Sequence, residues 1–250
     1  MSNMKKETSI IILAAGKGVR MKSDLPKVAH LLAGKPLVER VVTTAEYFNP
    51  EKLIVVVGYK KGVVQKYLSG FDNLTFVEQK QQLGTGHAVY VTRDFFKDFD
   101  GTVIIMPGDV PLLTKETIEN LIRVHIEKRA VATVLTVNLE DPTGYGRIVR
   151  DKKGYVEKIV EHKDASEEIK RINEINTGIF CFDAQELFSV LPKIGQDNSQ
   201  NEMYLTDALE LFKEDGKPIA AVKVHDPIEV AGINSKEQLQ ELEKEYLART

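Results

Sequence analysis

Cysteine is almost missing from this sequence: Cys181 is the only one in 250 residues. It cannot close an internal disulfide, which excludes a disulfide-stapled secreted scaffold and fits a reducing, cytoplasmic setting. No apolar run approaches the roughly 18–20 residues that cross a membrane. Lys5 and Lys6 followed by IIILAA faintly mimic a signal peptide, but the apolar part is short and charges follow at once, so the segment reads as a buried first strand. Excess charge of one sign is lacking too: the net charge is −3 and the pI near 6.0. That excludes a general nucleic-acid surface. It leaves small anions possible, because charges more than about 8 Å apart are largely screened and a local cluster outweighs the total. The five histidines have no zinc spacing, and no Gly-x-Ser-x-Gly elbow occurs. Cys181 lies in the apolar run Ile179-Phe180-Cys181-Phe182, which marks a buried structural thiol and not a nucleophile. Repeats, linkers and low-complexity segments are absent.

What remains is an ordinary globular composition, 42% hydrophobic and 28% charged. Apolar β-branched runs at 9–14, 53–57, 74–77, 102–106 and 130–137 alternate with helical patterns at roughly 36–48, 59–68, 85–96 and 114–128. Thr114, ahead of Glu116, is a good N-cap for the last of these. Strands apolar on both faces and separated by helices predict an α/β fold with a mostly parallel sheet covered on both sides. Beyond 137 the pattern changes. Residues 144–161 read strand–turn–strand, with Asp151-Lys152-Lys153-Gly154 as the turn; a strand over 175–182 and helices near 184–191, 203–213 and 235–248 follow. This predicts a β-hairpin and helix layer added to the same sheet. The chain is expected to be one domain, 1–250, with halves at about 1–140 and 141–250 and a soft boundary at Pro142-Thr143-Gly144.

Ligands of open parallel sheets sit beyond the carboxyl ends of the strands. The loop there, LAAGKGVRMKSDLPK, places Lys17, Arg20, Lys22 and Lys27 within eleven residues. It is neither a Rossmann fingerprint, because Met21 stands where the third glycine belongs, nor a P-loop, because no Gly-Lys-Ser/Thr falls at the required spacing. Gly16 and Gly18 allow main-chain N–H groups to approach an anion and permit positive φ. Arg20 offers a planar fork for phosphate oxygens and Lys27 a point charge. The loop is expected to bind phosphate. Asp109, in Pro107-Gly108-Asp109-Val110-Pro111 after the strand 102–106, faces the same crevice and suits magnesium, which takes one or two protein oxygens and fills its octahedron with phosphate and water. Asn234, expected where a strand ends before the last helix, is a candidate second ligand; a helix cap or turn role remains open for Asp109. Gln79 could pair with a nucleobase edge or be a surface residue, and Gly84-Thr85-Gly86 forms a turn entering a helix.

These stretches, with QLGTGHA at 82–88, GDVPLL at 108–113, TGYGRIVRD at 143–151, IVEHKDA at 159–165, EINTGIF at 174–180 and YLTD at 204–207, resemble the sugar-nucleotide pyrophosphorylases. The likeness is nearest to the uridyltransferase half of the bacterial bifunctional N-acetylglucosamine-1-phosphate uridyltransferase / glucosamine-1-phosphate acetyltransferase family and covers about residues 8–245. It implies a three-layer Rossmann-like sheet of the glycosyltransferase A type. It also implies transfer of uridylyl from UTP to N-acetylglucosamine-1-phosphate with Mg²⁺ as cofactor. The same chemistry on another sugar-1-phosphate or NTP, or a catalytically silent sugar-nucleotide sensor, is the alternative. By resemblance, the Leu13-Ala14-Ala15-Gly16 turn, Gly18, Gln79, Gly84 and Thr85 hold the nucleotide. Arg20 and Lys27 act on the phosphates, and Asp109 and Asn234 hold Mg²⁺. Gly146, Glu161, Asn176 and Tyr145 grip the sugar. UTP and the sugar phosphate are then the partners, with no nucleic acid or membrane. The bifunctional enzymes continue into a hexapeptide β-helix that is not found before Thr250, so acetyl transfer is not expected. Val19, Pro107 and Asn201-Glu202-Met203 replace residues common in the family and bear on the choice of sugar.

Overall fold

The computed structural model describes residues 7–249; Lys5 and Lys6 lie outside them. β1 (Thr8–Ala14) sits inside a nine-stranded sheet. A small hairpin, β2 (Leu31–Leu32) and β3 (Lys35–Pro36), leads into α1 (Leu37–Glu46). Then β4 (Leu53–Val57), α2 (Lys61–Tyr67), β5 (Leu74–Glu78), α3 (Thr85–Tyr90), β6 (Thr102–Pro107), α4 (Lys115–Glu127) and β7 (Ala132–Asn138) alternate. The hairpin β8 (Arg147–Arg150) and β9 (Val156–Val160) precedes α5 (Glu167–Lys170), the long β10 (Glu174–Asp183), α6 (Ala184–Val190), α7 (Asp207–Glu214), β11 (Ile219–Val224) and α8 (Lys236–Arg249).

The main path through the sheet is β11-β7-β10-β6-β1-β4-β5, with β8 joined to β10 and β9 to β8. β1 pairs in parallel with β4 on one side and with β6 on the other. The direction of winding therefore reverses at β1, and the crevice where ligands sit opens beyond its carboxyl end. Register aligns Leu13 with Pro107 and Ala14 with Val57, so the loops after β1, β4 and β6 emerge at one rim.

Strand alternation builds the two outer layers. Ile10, Ile12 and Ala14 face one side with α1, α2 and α4, whose Val38, Val41, Val42, Val64, Ile118 and Leu121 close that core. Ile11, Ile54, Val56 and Ile105 face the other, under α3, α6 and α7. This is the three-layer, mostly parallel architecture with an added hairpin that the sequence implied. Among the described residues no helix is long and apolar enough to cross a membrane.

Several local expectations are corrected. β10 runs antiparallel to both β6 and β7, so the second half enters the middle of the sheet. β11 was not foreseen: IAAVKV, with its two alanines, is a weak strand signal, yet it pairs in parallel with β7 at the edge. The helix expected from 203 begins at Asp207, because the backbone of Met203 is engaged by Leu83 and Gly86. The helix expected over 85–96 ends at Tyr90; Thr92 turns both its N–H and its hydroxyl back to the Val89 carbonyl, which tightens the last turn. Asn234 does not follow a strand: β11 stops at Val224, and a 3-10 turn, Pro227–Val230, intervenes.

Thr114 caps α4 as expected, its Oγ1 accepting from Thr117 N at 3.3 Å while donating to Glu229. Thr114→Ala is expected to cost about 1 kcal/mol of stability in urea unfolding, and Thr114→Ser to retain most of it; equal stability of wild type and Thr114→Ala would remove the cap from the account.

Candidate active site

The glycine loop is shaped by one close approach. Gly18 has φ +67°, and a Cβ there would lie 2.5 Å from Lys27 Cβ. Only glycine lets the outgoing loop pass beside the lysine backbone. Gly16, in contrast, has no positive φ and open space around it, so the left-handed freedom expected of both glycines belongs to Gly18 alone. The turn before it is tied down by its carbonyls: Leu13 O accepts from Gly108 N, and Ala15 O accepts from Tyr59 N and from Gln82 Nε2. Ala14 is buried in the core below this turn.

Lys27 and Arg20 converge on residues far away in the chain. Lys27 Nζ lies 2.5 Å from Asp109 Oδ2 and 3.1 Å from Asn234 Oδ1, while Arg20 Nη2 donates to the same Asn234 Oδ1 at 2.8 Å. Backbone contact fixes the pairing of the two segments, since Ile233 N donates to Asp109 O. A carboxylate and an amide oxygen side by side are hard donors of the kind a divalent cation takes, and here two side-chain cations occupy them. The residues fit a magnesium ion. Among the described residues no three His, Cys, Asp or Glu side chains gather as a metal cage, so such an ion would draw most of its oxygens from phosphate and water.

A cleft of about 360 Å³ opens beside this cluster. Leu13, Ala15, Gly16, Lys27, Gln79, Gly84, Thr85 and Asp109 line it from the first half of the chain, Glu161 and Asn176 from the second. Gln79 is buried, its Nε2 donating to Gly84 O at 3.0 Å and meeting His87 Nδ1 at 3.0 Å. Gly84 has φ +102°, and a Cβ there would strike Met203 O at 2.5 Å. The loop is zipped to the second half by Met203 N to Leu83 O, Gly86 N to Met203 O and Leu205 N to Thr85 Oγ1. The Thr85 hydroxyl thus accepts from the protein and keeps its proton for a ligand.

On the far wall, Glu161 is held by the Thr206 hydroxyl, which donates to Oε1 at 3.2 Å. Burial pushes the Glu161 carboxyl above its ordinary pKa, with the Thr206 bond opposing and Asp207, Asp164 and Glu202 adding to the rise. Asp207 is pushed up to about 6, by burial first and then by Glu210 and Asp164. Gly146 packs tightly behind Glu161: a Cβ would lie 3.0 Å from Ile159 Cγ2 and 3.3 Å from Glu161 Oε1, so a larger residue would press on both side chains. Asn176 sits at an irregularity in β10, where pairing to β7 slips before Phe180. Its Oδ1 accepts from Gly178 N, leaving the amide nitrogen to donate into the cleft.

Tyr145 differs from the rest of the set. Its ring packs on the core beside Val137 and Ile175 and lines a neighbouring cavity of about 200 Å³ under α8, not the main cleft. Burial and the nearby Asp109 raise its phenol pKa, with Arg20 opposing. Arg147, fully buried, donates through Nη1 to Tyr145 O and fixes that backbone. Three polar side chains of the lining were not among the predicted site residues: Gln82, Glu202 and Thr206. Each lies in a stretch already singled out, Gln82 in QLGTGHA, Glu202 in Asn201-Glu202-Met203 and Thr206 in YLTD, but nothing beyond those stretches marks the individual side chain.

The pattern of the Nucleotidyl transferase family matches residues 9–227. The chain belongs to the nucleotidyl transferase family. It is 47% identical over 234 residues to the bifunctional protein GlmU of Enterococcus faecalis (strain ATCC 700802 / V583), covering 94% of this chain and 51% of that protein. The GlmU of Listeria monocytogenes serotype 4a (strain HCC23) is 46% identical over 234 residues, with the same shares. The chain thus spans about half the length of the curated relatives it matches. A crystal structure of UDP-glucose pyrophosphorylase complexed with UDP-glucose superposes with a TM-score of 0.76 at 19% identity, covering 98% of this chain and 100% of that one. This agrees with the nucleotidyltransferase fold built strand by strand above.

Gly18 and Gly34 offer a matched pair for the nucleotidyltransferase loop. Both have positive φ, but a Cβ at Gly34 would meet nothing within 4 Å. Gly18→Ala is expected to weaken nucleoside triphosphate binding at least tenfold, while Gly34→Ala costs only about 1 kcal/mol of stability. Titration calorimetry beside urea unfolding checks both; equal nucleotide affinity in the two variants would contradict the role given to the Gly18–Lys27 contact.

Proposed function

We propose that this chain transfers a uridylyl group from UTP to N-acetylglucosamine-1-phosphate, giving UDP-N-acetylglucosamine and pyrophosphate. The observation that carries the reading is the meeting of Lys27 and Arg20 with Asp109 and Asn234 at the rim of β1 and β6, across the cleft from Glu161 and Asn176. The identity to GlmU proteins supports it further.

In this reading the Leu13–Gly16 turn, Gly18, Gln79, Gly84 and Thr85 receive the base, ribose and α-phosphate side of UTP. Gln79 turns a carboxamide toward the base. Gly146, Glu161 and Asn176 take the amino sugar, Glu161 accepting from a sugar N–H or hydroxyl and Asn176 donating. Tyr145 shapes the floor beneath the sugar from the adjoining cavity. A phosphate oxygen of the sugar phosphate attacks the α-phosphorus; the bond to the bridging oxygen breaks, and pyrophosphate leaves. The nucleophile is already an anion near neutral pH, so no general base is required, which accounts for a cleft without a catalytic serine or histidine. What the reaction requires is alignment and charge neutralisation. Lys27 holds phosphate oxygens of the reacting pair, and Arg20 steadies the leaving pyrophosphate. Asp109 and Asn234 would hold Mg²⁺, which supplies Lewis-acid neutralisation of phosphate charge when bound. Binding moves Lys27 from a carboxylate to a phosphate and so exchanges one anionic partner for another. The same reading takes the chain as one nucleotidyltransferase domain, with its nucleotide half at about 1–140 and its sugar half at about 141–250, acting in the cytoplasm on diffusible substrates.

Pyrophosphate release across four NTPs and several sugar-1-phosphates tests the assignment. UTP with the N-acetylated sugar is expected to exceed the other pairs; equal use of glucose-1-phosphate would contradict the sugar, and tight binding without turnover in magnesium would favour a silent sensor. Asp109→Ala is expected to abolish turnover, and Arg20→Ala to lower it about a hundredfold. Chelation should stop the reaction and added Mg²⁺ restore it. Near-normal rates in either variant would overturn the role given to that residue.

A further inference from the structure

His87 touches no part of the reaction, yet it bonds to the side chain that meets the base. Gln79 is 4% exposed and lines the cleft. Its amide nitrogen has two hydrogens and two neighbours at 3.0 Å, the Gly84 carbonyl and His87 Nδ1. A carbonyl can only accept, so the Gly84 contact requires nitrogen, not oxygen, at that position of the carboxamide. His87 Nδ1 must then carry a lone pair, and the ring proton sits on Nε2. Burial lowers the His87 pKa, with a hydrogen bond to the Gln81 backbone opposing, which favours this neutral ring. Both hydrogens of the Gln79 amide are therefore engaged, and Oε1 is left as an acceptor for a ligand.

We propose that His87 is a positioning residue for base selection: by accepting from Gln79 Nε2 it locks the carboxamide with its oxygen toward the base, so that the site takes pyrimidines bearing an N3–H and rejects cytosine. This rests on the placement of the base at Gln79 given above. Uracil and thymine present a donor at N3, which Oε1 accepts. Cytosine presents a lone pair at N3, which faces Oε1 as like against like. Cytosine's nearest donor is its C4 amine, one ring position away, so admitting cytosine in the register of uracil requires the carboxamide to turn over. That turn puts Oε1 against two acceptors, Gly84 O and His87 Nδ1, and loses both hydrogen bonds. Without the imidazole only the Gly84 contact opposes the turn, and water can take either role at the vacated position. His87 lies on α3, whose first turn is pinned to the 203–205 segment, so the ring is fixed relative to Gln79.

The test is the ratio of dissociation constants for UTP and CTP, measured by titration calorimetry on the full chain in Mg²⁺. His87→Ala is expected to lower the preference for UTP about tenfold, the order of one hydrogen bond. His87→Asn, whose Oδ1 can accept where Nδ1 does, is expected to keep it. A general loosening of the fold would weaken both nucleotides alike and leave the ratio unchanged. An unchanged ratio in His87→Ala, or a His87→Asn variant that behaves as His87→Ala does, overturns the proposal. Gln79→Ala separates this failure from that of the underlying reading. If Gln79→Ala collapses the ratio while His87→Ala does not, the lock is wrong and the base placement stands. If Gln79→Ala leaves the ratio intact, the base is read elsewhere and the placement fails with the lock.

Discussion

Lys27 sits between Asp109 and Asn234 in a partly buried setting, its side chain 20% exposed and that of Asp109 13%. The attraction between two unit charges at such a distance is worth several kcal/mol at an effective dielectric near 20, and desolvation offsets much of that. Its consequence lies less in stability than in placement. The contact ties the loop after β1 to the loop after β6 and, through Asn234, to the segment entering α8. The groups proposed to neutralise a triphosphate are thereby held together at one rim. Electrostatic stabilisation of a charged transition state is most effective when its dipoles and charges need no reorganisation. In the proposed reaction, an ion pair that opens onto phosphate and metal would keep the charge balanced in both states.

The second constraint is mechanical. The two halves share one sheet, because β10 inserts between β6 and β7. They also share the mouth of the cleft, where residues 83–86 are stitched to 203–205 by two backbone hydrogen bonds at Met203 and one from Leu205 N to the Thr85 hydroxyl. The Gly84 turn is thereby linked through residues 203–205 to Thr206, which bonds to Glu161. The two walls of the cleft, proposed to read the base and the sugar, are thus connected through a few covalent bonds and one short zipper. Glycine at 84 and 146 permits both walls to close to contact distance.

Much of this was legible in the sequence, for definable reasons. β1, β4 and β6 are apolar on both faces, so their burial under helices needs no tertiary information. The cationic glycine loop and Asp109 stand directly after such strands, where open sheets bind ligands. Contacts that span the chain were not legible. Asn234 meets Arg20 across 214 positions, and nothing local distinguishes it from a surface amide; it entered as a candidate on an expected strand end that the fold does not contain, and then by resemblance. Thr206 and His87 act through another side chain, which leaves no periodicity or spacing to detect. The antiparallel sense of β10 is equally silent, since an apolar strand reads the same in either direction. Tyr145 departs in the opposite way: expected at the sugar, its ring is turned by core packing into the adjoining cavity.

The central claim is that nucleotide phosphates and a divalent cation replace the side-chain contacts among Lys27, Arg20, Asp109 and Asn234. A crystal structure of the chain with the UDP-sugar product and Mg²⁺ tests it most directly. The account predicts phosphate oxygens on Lys27, and the metal on the Asp109 and Asn234 oxygens with the Lys27–Asp109 pair parted. Phosphates bound away from that rim, or a metal held by other residues while the pair stays closed, would contradict it.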